Sequence, residues 1–204
     1  MAGGLPTMAP DRLPDPLAVA LDVAGILERL GIPYLAAGSL ASSVHGEPRS
    51  TNDVDLVVDL AAGHVSGLLQ ALGDRYYVSP DAVGEATRTG GTFNLIHLAT
   101  AVKVDVFVAG SDPFDAERLA RRTRVRIGPD EGDVLDVDTA EHTILRKLEW
   151  YRRGDEVSER QWRDVLGVLR AHRTGLDWDR LAVWAARLGV GDLVERARRE
   201  SGGP

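Results

Sequence analysis

Two β-branched segments that each carry acids on a single face constrain this chain more than anything else in it. In Asp53-Val54-Asp55-Leu56-Val57-Val58 the alternation of a strand puts Asp53 and Asp55 on one side and Val54, Leu56 and Val58 on the other. Val102-Lys103-Val104-Asp105-Val106-Phe107-Val108 repeats the arrangement, with the valines at 104, 106 and 108 opposite Lys103 and Asp105. Asp is disfavoured in strands, and neighbouring carboxylates beside an apolar core repel unless a cation sits between them. A hard divalent ion such as Mg²⁺ or Mn²⁺ answers that, since it takes carboxylate oxygens and keeps waters that phosphate can replace. Asp53, Asp55 and Asp105 are therefore the candidate metal ligands. Asp59 shares their parity but ends its strand, where a turn explains it, and Asp22 and Glu47 read as surface charges.

Composition removes several other chemistries. The 204 residues contain no Cys, which excludes disulfides, thiolate metal sites and cysteine nucleophiles. The five histidines, at 45, 64, 97, 142 and 172, show no ligand spacing, so a His-based zinc site is not expected. With 44% hydrophobic and 27% charged residues the chain is globular rather than disordered. No apolar run approaches the roughly 18–20 residues of a bilayer span, and the N-terminus resembles no signal peptide, so a cytoplasmic protein without a membrane partner is expected. The net charge of −7 argues against sequence-blind coating of nucleic acid. It is unevenly spread, with 11 basic and 20 acidic side chains in residues 1–140 against 13 and 11 in residues 141–204. Inside the acidic part Arg118, Arg121, Arg122, Arg124 and Arg126 crowd nine residues, either as a solvated helix end and strand face or as a contact for phosphates. Only two of the 24 basic side chains are lysines, Lys103 and Lys147.

Hydrophobic periodicity divides the chain into an α/β core followed by helices. Residues 1–14 and 201–204 read as tails, 15–138 as the core and 139–200 as a helical domain. Asp15-Pro16 opens a helix to Gly31, Pro33 to Ala37 is a strand ending in Gly38-Ser39, and a short helix runs from Leu40 to Val44. Beyond the Asp53 strand come a helix over 61–72, a strand at Tyr76 to Val78, and a helix near 82–87. Strands over 92–98 and 101–108 form a hairpin. A helix from Asp112 to about Arg121 precedes a short strand at Val125 to Ile127. Asp138 with Glu141, and Ser158 with Gln161, form capping boxes that begin helices over about 140–153 and 159–171; two more cover about 178–188 and 192–200. The four tryptophans, at 150, 162, 178 and 184, all belong to these helices as core or interface anchors, with Trp150 or Tyr151 also able to stack a base.

The stretch from Ala37 to Val58, A-G-S-L-A-S-S-V-H-G-E-P-R-S-T-N-D-V-D-L-V-V, resembles the signature of the DNA polymerase β-type nucleotidyltransferase superfamily. There a Gly-Ser turn, a helix and an Arg-x-Thr segment precede a D-x-D strand, and a third carboxylate lies on a neighbouring strand, which Asp105 matches. More narrowly the chain is similar to small stand-alone nucleotidyltransferases related to abortive-infection and toxin–antitoxin toxins, whose C-terminal helices carry a Lys and then an Asp, here Lys147 and Asp164. The resemblance implies a mixed-sheet nucleotidyltransferase core followed by a helical domain. It implies two metal ions held by Asp53, Asp55 and Asp105, which are then also the catalytic groups. Nucleotide-binding roles follow for Gly38, Ser39, Arg49, Thr51, Lys147 and Asp164, with an NTP as substrate.

From the residues alone Gly38 lets a backbone approach phosphate oxygens, and Ser39 adds a hydroxyl at a helix N-terminus. Lys147 borders the apolar stripe of its helix and leans toward the core. Asp164 lies opposite its helix's stripe, where periodicity predicts an exposed ion pair with Arg160. The activity these readings predict is transfer of a nucleoside monophosphate to a macromolecular hydroxyl, of the tRNA 3′ end or a protein, as in a toxin with a cognate antitoxin. A small, aminoglycoside-like acceptor is the alternative within the same chemistry. A non-catalytic nucleotide- or partner-binding module of the same fold is the alternative outside it.

Overall fold

The computed structural model describes residues 15–202, so the tail expected over 1–14 and the last two residues lie outside the described part. Seven strands form one mixed sheet: β1 (Tyr34–Ala36), β2 (Asp53–Val58), β3 (Tyr76–Tyr77), β4 (Thr92–His97), β5 (Lys103–Val108), β6 (Thr123–Arg126) and β7 (Val134–Val137). Their order across the sheet is β3-β4-β5-β2-β1-β7-β6. The expected hairpin is present as the antiparallel pair β4–β5. β5 then runs parallel to β2, β2 antiparallel to β1, and β1 parallel to β7. The strand read at 125–127 lies two residues earlier and belongs to a second hairpin with β7. β7 has only four residues, Val134-Leu135-Asp136-Val137, too short for its alternation to stand out in the sequence.

Helices flank the sheet: α1 (Asp15–Arg29), α2 (Gly38–His45), α3 (Val65–Leu72), α4 (Pro80–Thr89) and α5 (Pro113–Arg121). The alternation of β2 and β5 puts Val54, Leu56, Val58, Val104, Val106 and Val108 into one core with the apolar faces of α1, α3 and α4. On the opposite face Leu35 and Val57 pack against Leu119 of α5. Four helices follow β7: α6 (Ala140–Arg153), α7 (Glu159–Ala171), α8 (Trp178–Arg187) and α9 (Gly191–Glu200). They share a second apolar cluster around Ile144, Leu148, Val165, Leu181 and Trp184, which also takes in Phe114 of α5. Among the described residues no helix is long and apolar enough to cross a membrane.

Both anticipated capping boxes are altered. α6 is capped by Thr139, whose hydroxyl accepts from the His142 N–H, rather than by Asp138. Asp138 is buried and engaged elsewhere, and Glu141 instead accepts from the Asp177 N–H. At α7 Ser158 does cap, accepting from the Gln161 N–H, but the Gln161 carboxamide oxygen does not return the bond.

Candidate active site

All nine residues singled out from the sequence line one cavity of about 500 Å³ between the sheet, α2 and the α6–α7 pair. Its floor is set by strand register. Asp55 on β2 stands directly opposite Asp105 on β5, and Asp53 opposite Lys103, so three acids and one ammonium share a face. The Lys103 ammonium lies 2.9 Å from the Asp105 carboxylate. Lys103 does not itself line the cavity, but it pairs with an acid that does, a contact already legible from the strand face the two share.

Gly38 closes over this floor. Its φ of +57° belongs to the left-handed region, and a Cβ there would fall 1.8 Å from the Asp55 Oδ2. Any other residue at 38 would displace the carboxylate. The close approach lets the Ser39 N–H donate to Asp55. Burial, then the charge of Asp105, nevertheless pushes the Asp55 carboxyl above its ordinary range. Asp55 is thus a carboxylate short of positive charge.

The loop from 46 to 52 is strapped to α2 by hydroxyls. Thr51 donates to the Asp53 carbonyl at 2.9 Å, which leaves Ser39 to donate to Thr51 across 2.7 Å. The Ser43 hydroxyl accepts from the Arg49 N–H at 3.4 Å, while within α2 Ser42 donates to the Gly38 carbonyl at 2.7 Å and Ser43 to that of Ser39 at 2.9 Å. The helix carrying the Gly-Ser turn starts at Gly38 rather than Leu40, with Ser39 in its first turn and not as its cap.

The far wall departs from its periodicity. Asp164 does not pair with Arg160; it accepts from Lys147 at 2.8 Å and from Arg49 at 3.2 Å. Its side chain is only 9% exposed, because α6 and the loop bearing Arg49 cover the side of α7 that lies away from the helical core. Burial raises its pKa, but the bonds from Lys147 and Arg49 outweigh it and hold the carboxyl below the usual range. Burial draws the Lys147 ammonium below its ordinary value against the pull of Asp164. Asp164 therefore joins two cations on separate elements at the edge of the floor.

The arginine cluster dissolves into separate ion pairs. Arg118 is buried between Asp115 and Asp138, Arg121 pairs with Glu117, Arg122 with Asp136, and Arg124 with Glu28. Of the two aromatic candidates for stacking, Tyr151 is buried against Trp162, while Trp150 lines the cavity.

The donor set suits a hard divalent cation. The two carboxylates in register are oxygen donors, one of them is held above its ordinary pKa by burial and by the charge of the other, and an ammonium already answers that other. Among the described residues no three such groups are yet drawn together into a ready coordination shell.

With that geometry in view, solved structures supply the comparison. A nucleotidyltransferase-like protein from Paracoccidioides brasiliensis superposes with a TM-score of 0.53 at 20% identity, over 90% of this chain and 93% of the other. The antibiotic-resistance factor ANT(2'')-Ia superposes with a TM-score of 0.51 at 13% identity, over 90% of this chain and 96% of its own. The same protein in complex with adenylyl-2''-tobramycin gives 0.52 at 13% identity, over 84% and 95%. The fold is that of nucleotidyltransferases. No protein-family model matches the sequence, and no curated protein matches it significantly.

Proposed function

We propose that this chain is a metal-dependent nucleotidyltransferase that moves a nucleoside monophosphate from an NTP to an acceptor hydroxyl. The observation that carries the reading is the in-register pair Asp55–Asp105 beneath a glycine with no room for a Cβ. Asp53, Asp55 and Asp105 would hold Mg²⁺ or Mn²⁺, which supplies positive charge to the triphosphate and acidifies the attacking hydroxyl. The chain's own groups do the rest. The N–H groups left open in the first turn of α2 would meet phosphate oxygens across the Gly38 gap. Lys147 supplies a compact charge at the cavity wall, and Arg49 is held beside it by Asp164.

The sequence resemblance adds the finer reading of a toxin that modifies the tRNA 3′ end or a protein and is restrained by an antitoxin. Against its RNA branch stands the arginine cluster, four of whose five members are already paired with carboxylates. That observation favours a small hydroxylated acceptor as the second reading.

Incubation with each α-labelled NTP, Mg²⁺ and, in parallel, total tRNA, a protein extract and aminoglycosides tests both. Label should enter one acceptor class. Mg²⁺ plus NTP should also raise the melting temperature, because ligands that bind only the native state stabilise it. Asp53→Asn combined with Asp55→Asn should abolish the labelling and that shift while leaving circular dichroism native. A double variant that still responds to metal and NTP would sink the assignment.

A further inference from the structure

Beyond the acids, the same face of the sheet carries side chains that the transfer reading does not use. Register lines up Tyr77 on β3 with Ile96 on β4, Ile96 with Lys103 on β5, and Lys103 with Asp53 on β2, so all four stand on the face of the metal acids. α5 covers that face through Leu119, which packs on Leu35 and Val57 with Phe107 at its margin. Toward β4 and β3 the face is open. Tyr77 is 63% exposed, Ile96 36%, and Leu98, which follows β4, 60%. These are three of the six large apolar side chains exposed among the described residues, and apolar groups clustered on a surface mark a contact with another molecule.

In phosphoryl transfer the attacking oxygen and the leaving group lie roughly in line through the phosphorus. Gly38, Ser39 and Lys147, placed for the triphosphate, lie on α2 and α6, and α2 follows directly on β1. Since β1 and β5 flank β2 on opposite sides, pyrophosphate leaves on the β1 side of Asp55 and the acceptor hydroxyl arrives over β5 and β4. The cavity of about 500 Å³ is filled by one small ligand, so with an NTP inside it the body of the acceptor rests outside, on the open sheet. Charge then selects among acceptors. Lys103 is the one cation of the row and stands beside Asp53 and Asp105, while Arg75, just before β3, is held by Asp22 at 2.5 Å. A phosphate backbone meets acids and paired cations there, whereas an apolar protein surface meets its like. Tyr77 lies two strands from β5, roughly 10 Å at the usual strand spacing, a gap that about three residues of extended polypeptide span.

Resting on the nucleotidyl-transfer reading, we propose that the open face of β3 and β4 docks the acceptor and that the acceptor is a protein. It lays an apolar segment across Tyr77 and Ile96 and presents a side-chain hydroxyl beside Asp105. That oxygen bonds to the α-phosphorus, the bond from this phosphorus to the β-bridging oxygen breaks, pyrophosphate leaves with the electron pair, and the hydroxyl proton passes to water.

The test compares the full chain with the double variant Tyr77→Ser, Ile96→Thr. Each is given every α-labelled NTP with Mn²⁺ and, separately, a protein extract, total tRNA and aminoglycosides; binding of inorganic tripolyphosphate with Mn²⁺ is measured alongside. Label should enter protein, and should fall at least tenfold in the double variant while tripolyphosphate affinity stays within about twofold. Label that enters no protein, whether it goes to tRNA, to an aminoglycoside or nowhere, overturns the dock. So does protein labelling that the double variant retains. In either case tripolyphosphate binding by the unaltered chain leaves the transfer reading standing; its failure, together with the absence of any label, overturns both.

Discussion

On the floor of the groove Asp53, Asp55 and Asp105 face a single ammonium, that of Lys103, with Lys147 at the wall. A few residues further along the same groove Asp115, Asp138 and Glu149 meet Arg118 and Arg146 in a dense set of bonds. Arg118 donates to Asp138 at 2.6 and 3.0 Å and to Asp115 at 2.8 Å, and Arg146 bridges Asp115 and Glu149 at 2.5 Å each. Both clusters are carboxylate-rich and both line the cavity. They differ in how far each acid is answered. Planar guanidinium groups answer the charges of the second cluster and tie α5 to β7 and α6, though the Asp138 Oδ1 and the Arg146 Nε are left without a hydrogen bond, while compact ammonium groups leave the first short of charge. Only the unanswered cluster invites a ligand. All the lysine in the chain lies at that cluster, and arginine serves everywhere else.

The sharpest way to break this contrast is to unbalance the satisfied cluster. Arg118→Ala strands Asp138 in the interior and should cost about 3–5 kcal/mol in urea denaturation, with tripolyphosphate affinity of the folded fraction unchanged. A loss under about 1 kcal/mol would mean that the arginine forks hold nothing together.

Lys147→Ala comes next. It should weaken NTP binding or turnover at least tenfold, about 1.4 kcal/mol, with native circular dichroism. Unchanged kinetics would leave Lys147 as a buttress for Asp164 only.

A smaller effect of opposite sign is expected at Asp55. Its folded pKa lies above the unfolded value, so ionised Asp55 destabilises the native state once pH exceeds the folded pKa, and the penalty vanishes below the unfolded one. Without metal or nucleotide, Asp55→Asn should therefore raise the melting temperature at pH 7 by about 2–4 °C, the effect of roughly 1 kcal/mol in a domain of this size. The gain should disappear as pH falls to about 3.8, the ordinary carboxylate value from which Asp55 is raised. A variant less stable than its parent at pH 7 would show that Asp55 is already neutralised.

The smallest effect belongs to the outer strand. Arg124→Gln with Arg126→Gln should change stability by less than about 0.5 kcal/mol and leave nucleotide affinity intact, since exposed ion pairs contribute little. Filter retention of labelled tRNA across a salt series checks the same pair. A steep, salt-dependent loss in the variant would restore a phosphate contact to this patch.

What could be read from the sequence was governed by neighbours in the chain. Strand alternation is a two-residue property, so Asp53, Asp55 and Asp105 could be put on faces, and Val54, Leu56, Val104 and Val106 in the core, before any fold was known. Gly38-Ser39 was legible for the same reason, as a turn joining a strand to a helix. The helices after 138 declared themselves through stripes and the Ser158 cap.

Tertiary structure alone decided which charges meet. The helical wheel gives Asp164 to Arg160, yet α6 and the Arg49 loop close over that side of α7 and give it Lys147 and Arg49 instead. The spacing of Asp138 and Glu141 suggests a cap, but Asp138 lies where β7 meets α5, and a buried guanidinium claims it more strongly than a backbone N–H could. Five crowded arginines look like a basic patch until Glu28, Asp136 and Asp138 arrive from other elements and Glu117 answers Arg121 one turn back on the same helix. Local sequence sets the direction in which a side chain points. Which ion answers it depends on elements tens of residues away, because Coulomb attraction acts through space and not along the chain.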